Sequence, residues 1–263
     1  RWFIEGGNSR PLAFMKACIG VQHEYLMLAH LPKDAILVPS MQTKVDIVRF
    51  VRGKSVGVHI VPNSIDFDTY DRYKSSLGIE FNPCILFIGR LVFYKNVHTL
   101  IKAFEEVIRY NREARLIIIG KGPLAPLLRE YISKTNSLKN NVVMLGHVSQ
   151  EEKSYWLSKC SALVNLSIFE GFGMNILEAW FFEKPVIVSN VPPLSEIVTN
   201  GVDGLVCNPL DFKCVSNNII ELLDNRVYAR KIGRSGYDKL INYFAPDKVV
   251  DILEAIYKEI GGL

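Results

Sequence analysis

The stretch Ser161–Trp180, "SALVNLSIFEGFGMNILEAW", decides the fold. It opens on a short apolar run of strand character, passes through a loop carrying Gly171 and Gly173, and continues into good helix formers from about Gly173–Met174. A buried strand feeding a glycine loop and then a helix is the repeating unit of a parallel sheet, whose ligands bind at the carboxyl edge. There the first helical N–H groups lack intrahelical partners and carry partial positive charge, so the loop favours a phosphate. Glu170 lies in this loop and Glu178 in the second helical turn. Glu178 can offer two oxygens to a vicinal diol such as a ribose, with Glu170 on the other side of the phosphate. An acid near a helix start is more often a dipole partner or cap, so the pair needs supporting sites.

Outward from this unit the same pattern recurs. "CILFIG", "ARLIIIG", "NVVMLGHV", "SALVNLS", "KPVIVSN" and "GLVCNP" are short β-rich runs, and the spacers between them have helix length. Continuous rather than alternating hydrophobicity implies strands buried on both faces, joined by right-handed crossovers. The fold class is therefore α/β, a Rossmann-like doubly wound parallel sheet spanning residues 83–244. "NVHTLIKAFEEVIRY" and "LAPLLREYISKT" carry apolar residues at helical spacing. Upstream, "RPLAFMKACIGVQHEYLMLAHL" reads as a helix, "AILVPS" as a strand, "MQTKVDIVRFVRG" as a helix and "VGVHIVPN" as a strand, so residues 1–65 read as the end of an earlier α/β domain. Residues 66–82 read as a polar linker, and 245–263 as a terminal helix after a Pro break.

Other strand ends supply the supporting sites. "CILFIGRLVFYK" places Gly89, Arg90 and Lys95 after the first strand of this sheet, where a forked guanidinium and a mobile ammonium together can neutralise a diphosphate. "IIIGKGP" adds a glycine turn at Gly120 and Gly122.

Composition narrows the classes. The 263 residues are 49% hydrophobic, enough for a full core, and the net charge of +4 comes without the dense Lys/Arg blocks of a nucleic-acid binder. No apolar run reaches the roughly 18 residues of a membrane helix. Five scattered cysteines form no C-x-x-C pair, which suggests neither zinc nor a disulfide framework and fits a reduced, cytoplasmic setting. A chain opening on Arg1 with no signal-peptide pattern reads as a piece of something longer. "DFD" at Asp66–Asp68 imitates a metal-binding D-x-D motif but sits in the linker, and His23 and His30 lack companion ligands.

Taken in order, "GRLVFYKN", "IIGKGP", "VVMLGHVSQEE", "SIFEGFGMNILEAW", "KPVIVSN" and "GVDGLVCNP" resemble the donor domain of retaining GT-B glycosyltransferases of family 4, over residues of about 35–263. The resemblance implies a UDP- or GDP-sugar donor, no metal or other cofactor, and transfer of a hexose-type sugar to a glycan or lipid-linked acceptor with retention. It casts Arg90 and Lys95 as diphosphate ligands, Glu178 as the ribose ligand and Glu170 as the acid facing the sugar. Gly171, Phe172, Gly173, Met174 and Asn175 would border sugar and phosphate, Gly146, His147 and Val148 the nucleobase, and Gly89, Gly120 and Gly122 the donor loops. The terminal helix would cross back to the acceptor domain. Peripheral contact with a membrane surface would suit lipid-linked acceptors, although burial is the simpler reading of the helix at "RPLAF". The departures are Asn96 where glycine is usual, Lys121 where an acid is common, and Pro192-Pro193 before Glu196. With the first half of the acceptor domain missing, the chain is also compatible with a donor-binding subunit needing a partner; a nucleotide-sugar epimerase is the further rival.

Overall fold

The computed structural model describes residues 35–50, 57–74 and 83–261. The chain divides into two compact units, one containing residues up to Pro62 together with those from Asp251 on, the other Asn63–Val250. In the first, β1 (Ala35–Val38) and β2 (Gly57–Ile60) pair in parallel, with helix α1 (Met41–Phe50) between them in sequence. The helix expected around His23 and His30 lies outside the described residues.

The second unit begins with helix α2 (Phe67–Lys74), inside the segment read as linker. Polar composition concealed it. Asp66 caps the helix, its Oδ1 accepting from Thr69 N–H at 3.3 Å and its Oδ2 from the Thr69 hydroxyl at 2.6 Å. One residue of the helix, Tyr70, is buried, its ring 5.6 Å from that of Phe181 and 6.0 Å from that of Phe182. The first carboxylate of the D-x-D look-alike is thus a helix cap.

The six apolar runs form six strands: β3 (Cys84–Ile88), β4 (Arg115–Ile119), β5 (Val142–Gly146), β6 (Ala162–Asn165), β7 (Val186–Ser189) and β8 (Leu205–Cys207). All are parallel, in the order β5-β4-β3-β6-β7-β8. Their helices are α3 (Val97–Tyr110), α4 (Ala125–Lys134), α5 (Asn136–Lys139), α6 (Gln150–Lys159), α7 (Met174–Phe181), α8 (Leu194–Ile197), α9 (Phe212–Asp224) and α10 (Arg226–Lys239); the terminal α11 (Pro246–Gly261) begins in this unit and belongs to the first from Asp251 on. Successive strand residues point to opposite faces, and here both faces are core. Ile85 and Phe87 of β3 join Leu100 and Phe104 of α3 and Ile219 of α9, while Leu86 joins Leu157 of α6 and Trp180 of α7. That two-sided burial is why the strands read as unbroken apolar runs.

Strand order reverses between β3 and β6, so the chain winds outward one way through β4 and β5 and the other way through β7 and β8. A crevice for a ligand forms at such a switch point. The loop after β4 packs directly against the loop after β3: Gly89 N–H donates to Ile119 O at 3.0 Å and Leu91 N–H to Lys121 O at 2.9 Å. Gly120 makes this approach possible, since with φ at +142° a Cβ there would stand 1.8 Å from Gly89 O. The cysteines are less scattered in space than in sequence, for the thiols of Cys207 and Cys214 meet at 2.9 Å. Among the described residues no helix is long and apolar enough to cross a membrane.

Gly120→Ala is expected to destabilise the protein by about 3 kcal/mol, combining a strained backbone with a backbone clash. Urea denaturation measures this, and an unshifted midpoint would contradict the close approach of the two loops.

Candidate functional site

The loops after β3 and β6, neighbours only because the strand order reverses there, build the site together. After β3 come Gly89 and Arg90, then a 3-10 turn over Phe93–Lys95 that ends on Asn96 at φ 55°. Asn96 adopts the left-handed conformation where the resemblance favours glycine, and its side chain supplies compensating bonds. Its Nδ2 donates to Pro209 O at 2.6 Å and its Oδ1 accepts from the Thr99 hydroxyl at 2.7 Å. After β6 the chain turns through Glu170 and Gly171 to Gly173, which at φ 104° precedes the first residue of α7. Ile168 N–H donates to Tyr94 O at 2.8 Å and ties the loops together.

Lys95 and Glu170 meet across this join, Nζ to Oε2 at 2.5 Å, with side chains only 16% and 14% exposed. The Asn165 amide donates to the same oxygen at 3.3 Å, and the Ser167 hydroxyl oxygen lies 3.1 Å from it. Burial alone would raise the Glu170 carboxyl, but the Lys95 charge and hydrogen bond, with the Asn165 amide and Gly171 N–H, more than offset it and hold the group below the usual carboxylate range. Arg90 is exposed beside them, its guanidinium bonded to the Tyr94 hydroxyl.

Asn165, at the end of β6 and 1% exposed, organises the loop beneath. Its Oδ1 accepts from Ser167 N–H at 3.1 Å and from the Ser167 hydroxyl at 2.6 Å. Its Nδ2 also donates to Asn175 Oδ1 at 3.0 Å, and Asn175 Nδ2 in turn donates to Ile88 O, at the end of β3, at 3.0 Å. Asn175, a candidate donor ligand, therefore clamps the two strand ends.

Glu178 stands one turn farther along α7, in a second ion pair. Lys153 Nζ donates to its Oε1 at 2.9 Å and the Tyr70 hydroxyl donates to the same oxygen at 2.7 Å. The two-oxygen presentation expected from sequence is thus altered, because one oxygen already has two donors.

A cleft of about 650 Å³ opens at this edge of the sheet, lined by residues that include Gly89, Arg90, Gly120, His147, Val148 and Lys153. The other expected residues lie elsewhere. A Cβ on Gly122 would fall 2.3 Å from Leu91 O, so this glycine serves loop packing. Gly146 carries φ 76° and accepts from Gly120 N–H at 2.6 Å, fixing the turn before His147. Phe172 is buried against Phe244, whereas Met174 is exposed and the space around Gly171 is open. Lys121, the departure between the glycines, adds a cation to the cleft wall. Sequence reasoning missed Asn165, Lys153 and Tyr70; of these only Asn165 leaves a signal, as a polar residue inside a buried run. Among the described residues no group of three or more His, Cys, Asp or Glu is arranged to hold a metal ion.

The lowered Glu170 carboxyl fixes the sign of a pH effect. Its pairing adds stability that is complete above about pH 5, and this is lost as pH falls through the folded carboxyl's own lower value. The unfolding free energy of the intact chain should exceed that of Glu170→Gln near pH 7, with the gap closing as the pH falls through the lowered value of the folded carboxyl. A gap that stays constant with pH would rule out a charged Glu170 as its source.

The model for the family described as "Glycosyl transferases group 1" matches residues 70–239. Over 219 residues the chain is 28% identical to the capsular polysaccharide biosynthesis glycosyltransferase CapM of Staphylococcus aureus, covering 82% of this chain and 56% of CapM. Sucrose-phosphate synthase from Thermosynechococcus elongatus has a similar structure, with a TM-score of 0.76 at 22% identity over 92% of this chain and 61% of that one. So does Anabaena HepE, solved in complex with UDP and glucose, with a TM-score of 0.72 at 20% identity over 88% and 63%. The chain spans about half the length of the curated relatives it matches. With the parallel α/β sheet of the GT-B glycosyltransferases and a family match over most of its length, the chain belongs to the group 1 glycosyl transferases.

Proposed function

We propose that this chain provides the nucleotide-sugar site of a retaining glycosyltransferase of family 4, which moves a hexose-type sugar from a UDP- or GDP-sugar to an acceptor hydroxyl. The observation that carries the reading is the Lys95–Glu170 pair at the β3/β6 switch, which puts a phosphate-seeking cation and a sugar-facing acid 2.5 Å apart. The complex of Anabaena HepE with UDP and glucose supports UDP as the nucleotide. The name of the capsular polysaccharide relative supports a glycan acceptor; a lipid-linked acceptor, met from the cytoplasm at a membrane surface, is part of the same proposal.

In this proposal the diphosphate lies over the start of α7, between Arg90 and Lys95. Its arrival draws Lys95 toward phosphate, and Glu170 turns its freed oxygen to a sugar hydroxyl. The bond between the anomeric carbon and the diphosphate oxygen breaks, its electron pair leaving with the phosphate. The acceptor oxygen bonds to the same face of that carbon and its proton passes to the departing phosphate oxygen. Arg90, Lys95 and the helix-start amides stabilise the charge that develops on the leaving group. Glu178 anchors the ribose, and His147 and Val148 border the base.

Calorimetric titration with UDP, GDP and their sugars tests the reading. The intact chain is expected to favour one nucleotide, and Arg90→Ala and Glu178→Ala each to weaken it by about tenfold or more, the scale of a lost charge-assisted hydrogen bond. Unaltered affinity in both variants would defeat the assignment.

A further inference from the structure

Glu178 is held by groups from outside its own loop and helix. Tyr70 belongs to α2, before the sheet begins, and is 5% exposed with its ring set among Phe181 and Phe182. Burial first, and then the Glu178 charge, push its hydroxyl well above the ordinary tyrosine range, so the proton stays on oxygen and is donated to Glu178 Oε1. Lys153, on α6, donates to that same oxygen while lining the cleft, its Nζ 5.5 Å from the centre of the Tyr70 ring. Among the described residues both donors to Glu178 go to Oε1 and none to the other oxygen, Oε2. Holding Oε1 at two points fixes the plane of the carboxylate and leaves Oε2 for a ligand. The ammonium has three donors, so Lys153 can donate to an incoming hydroxyl without releasing Glu178.

A vicinal diol matches this pairing, since one hydroxyl can give its proton to Oε2 while the oxygen of its neighbour accepts from Lys153. We infer that Lys153 is a ribose-contacting specificity residue of the donor site and that Tyr70 is the positioning residue that orients Glu178 for the same sugar. The inference rests on the proposed reading of Glu178 as the ribose anchor.

The test compares UDP and GDP with their 2′-deoxy and 3′-deoxy counterparts, by calorimetry, on the intact chain, Lys153→Met, Tyr70→Phe and Glu178→Gln. The intact chain is expected to prefer the ribose form by about tenfold or more. Lys153→Met and Tyr70→Phe should each cut that preference at least about threefold, a fraction of one charge-assisted bond. Tyr70→Phe retains the packed ring, and Lys153→Met gives an independent reading on a helix surface. A purely structural role would weaken ribose and deoxyribose forms equally, leaving the ratio intact and overturning the inference. If only Glu178→Gln loses the preference, the ribose reading stands and the roles of Tyr70 and Lys153 fall. If Glu178→Gln keeps the preference of the intact chain, the ribose reading itself fails.

Discussion

The buried amide of Asn165 is the constraint on which the cleft depends. A side-chain amide accepts through its oxygen and donates twice through its nitrogen, and here both ends are used. The oxygen holds the Ser167 turn, and the nitrogen reaches Glu170 and Asn175, which passes the connection to the carbonyl of Ile88. An aspartate in its place would set a second negative charge against Glu170. A leucine would leave Ser167 N–H without its side-chain acceptor in a buried setting and take one donor away from Glu170, which would keep Lys95. The acid of the loop is thus placed by a neutral residue beneath it, and through Asn175 the same residue keeps the β6 loop in register with the end of β3.

Both motif glutamates are ion-paired to lysines from other elements, Glu170 to Lys95 and Glu178 to Lys153. Two acids near one helix would otherwise repel each other and any phosphate nearby. With each matched to a cation, the local charge is balanced and the helix start keeps its positive end. This arrangement separates the two acids chemically: Glu170 sits under a lysine of the β3 loop, and Glu178 under a lysine of the cleft wall.

The inner strands were legible because each is buried on both faces, which writes itself as an unbroken apolar run; "CILFI" and "VIVS" needed no other signal. The motif helix was legible because two glycines precede a run of helix formers. Strand order was not legible, since the pattern inside β3 and β6 says nothing about which strand lies beside which, yet that adjacency joins Lys95 to Glu170. Helix α2 was hidden because one buried tyrosine secures an otherwise polar segment. Lys153 was invisible for a similar reason: on a half-exposed helix, a lysine that turns into a cleft has the same letter as one that faces water. The family resemblance singled out Arg90, Lys95, Glu170 and Glu178, but their partners are read only in three dimensions.

The pairing of β3 with β6 has a consequence for how the molecule is assembled. Ile85 finds Leu116 of β4 soon after synthesis has passed one helix, but its other neighbour, Ala162, is separated from it by two further strands and their helices. Contacts so distant along the chain carry the larger loop-closure entropy and contribute most to topological complexity. A nascent chain ending after β5 can make a three-stranded sheet with its cationic loop in place, but without β6 that sheet has no switch point and no acid to balance the lysine. The ability to hold an anion productively is therefore a property of the completed sheet, gained together with its most non-local strand pairing.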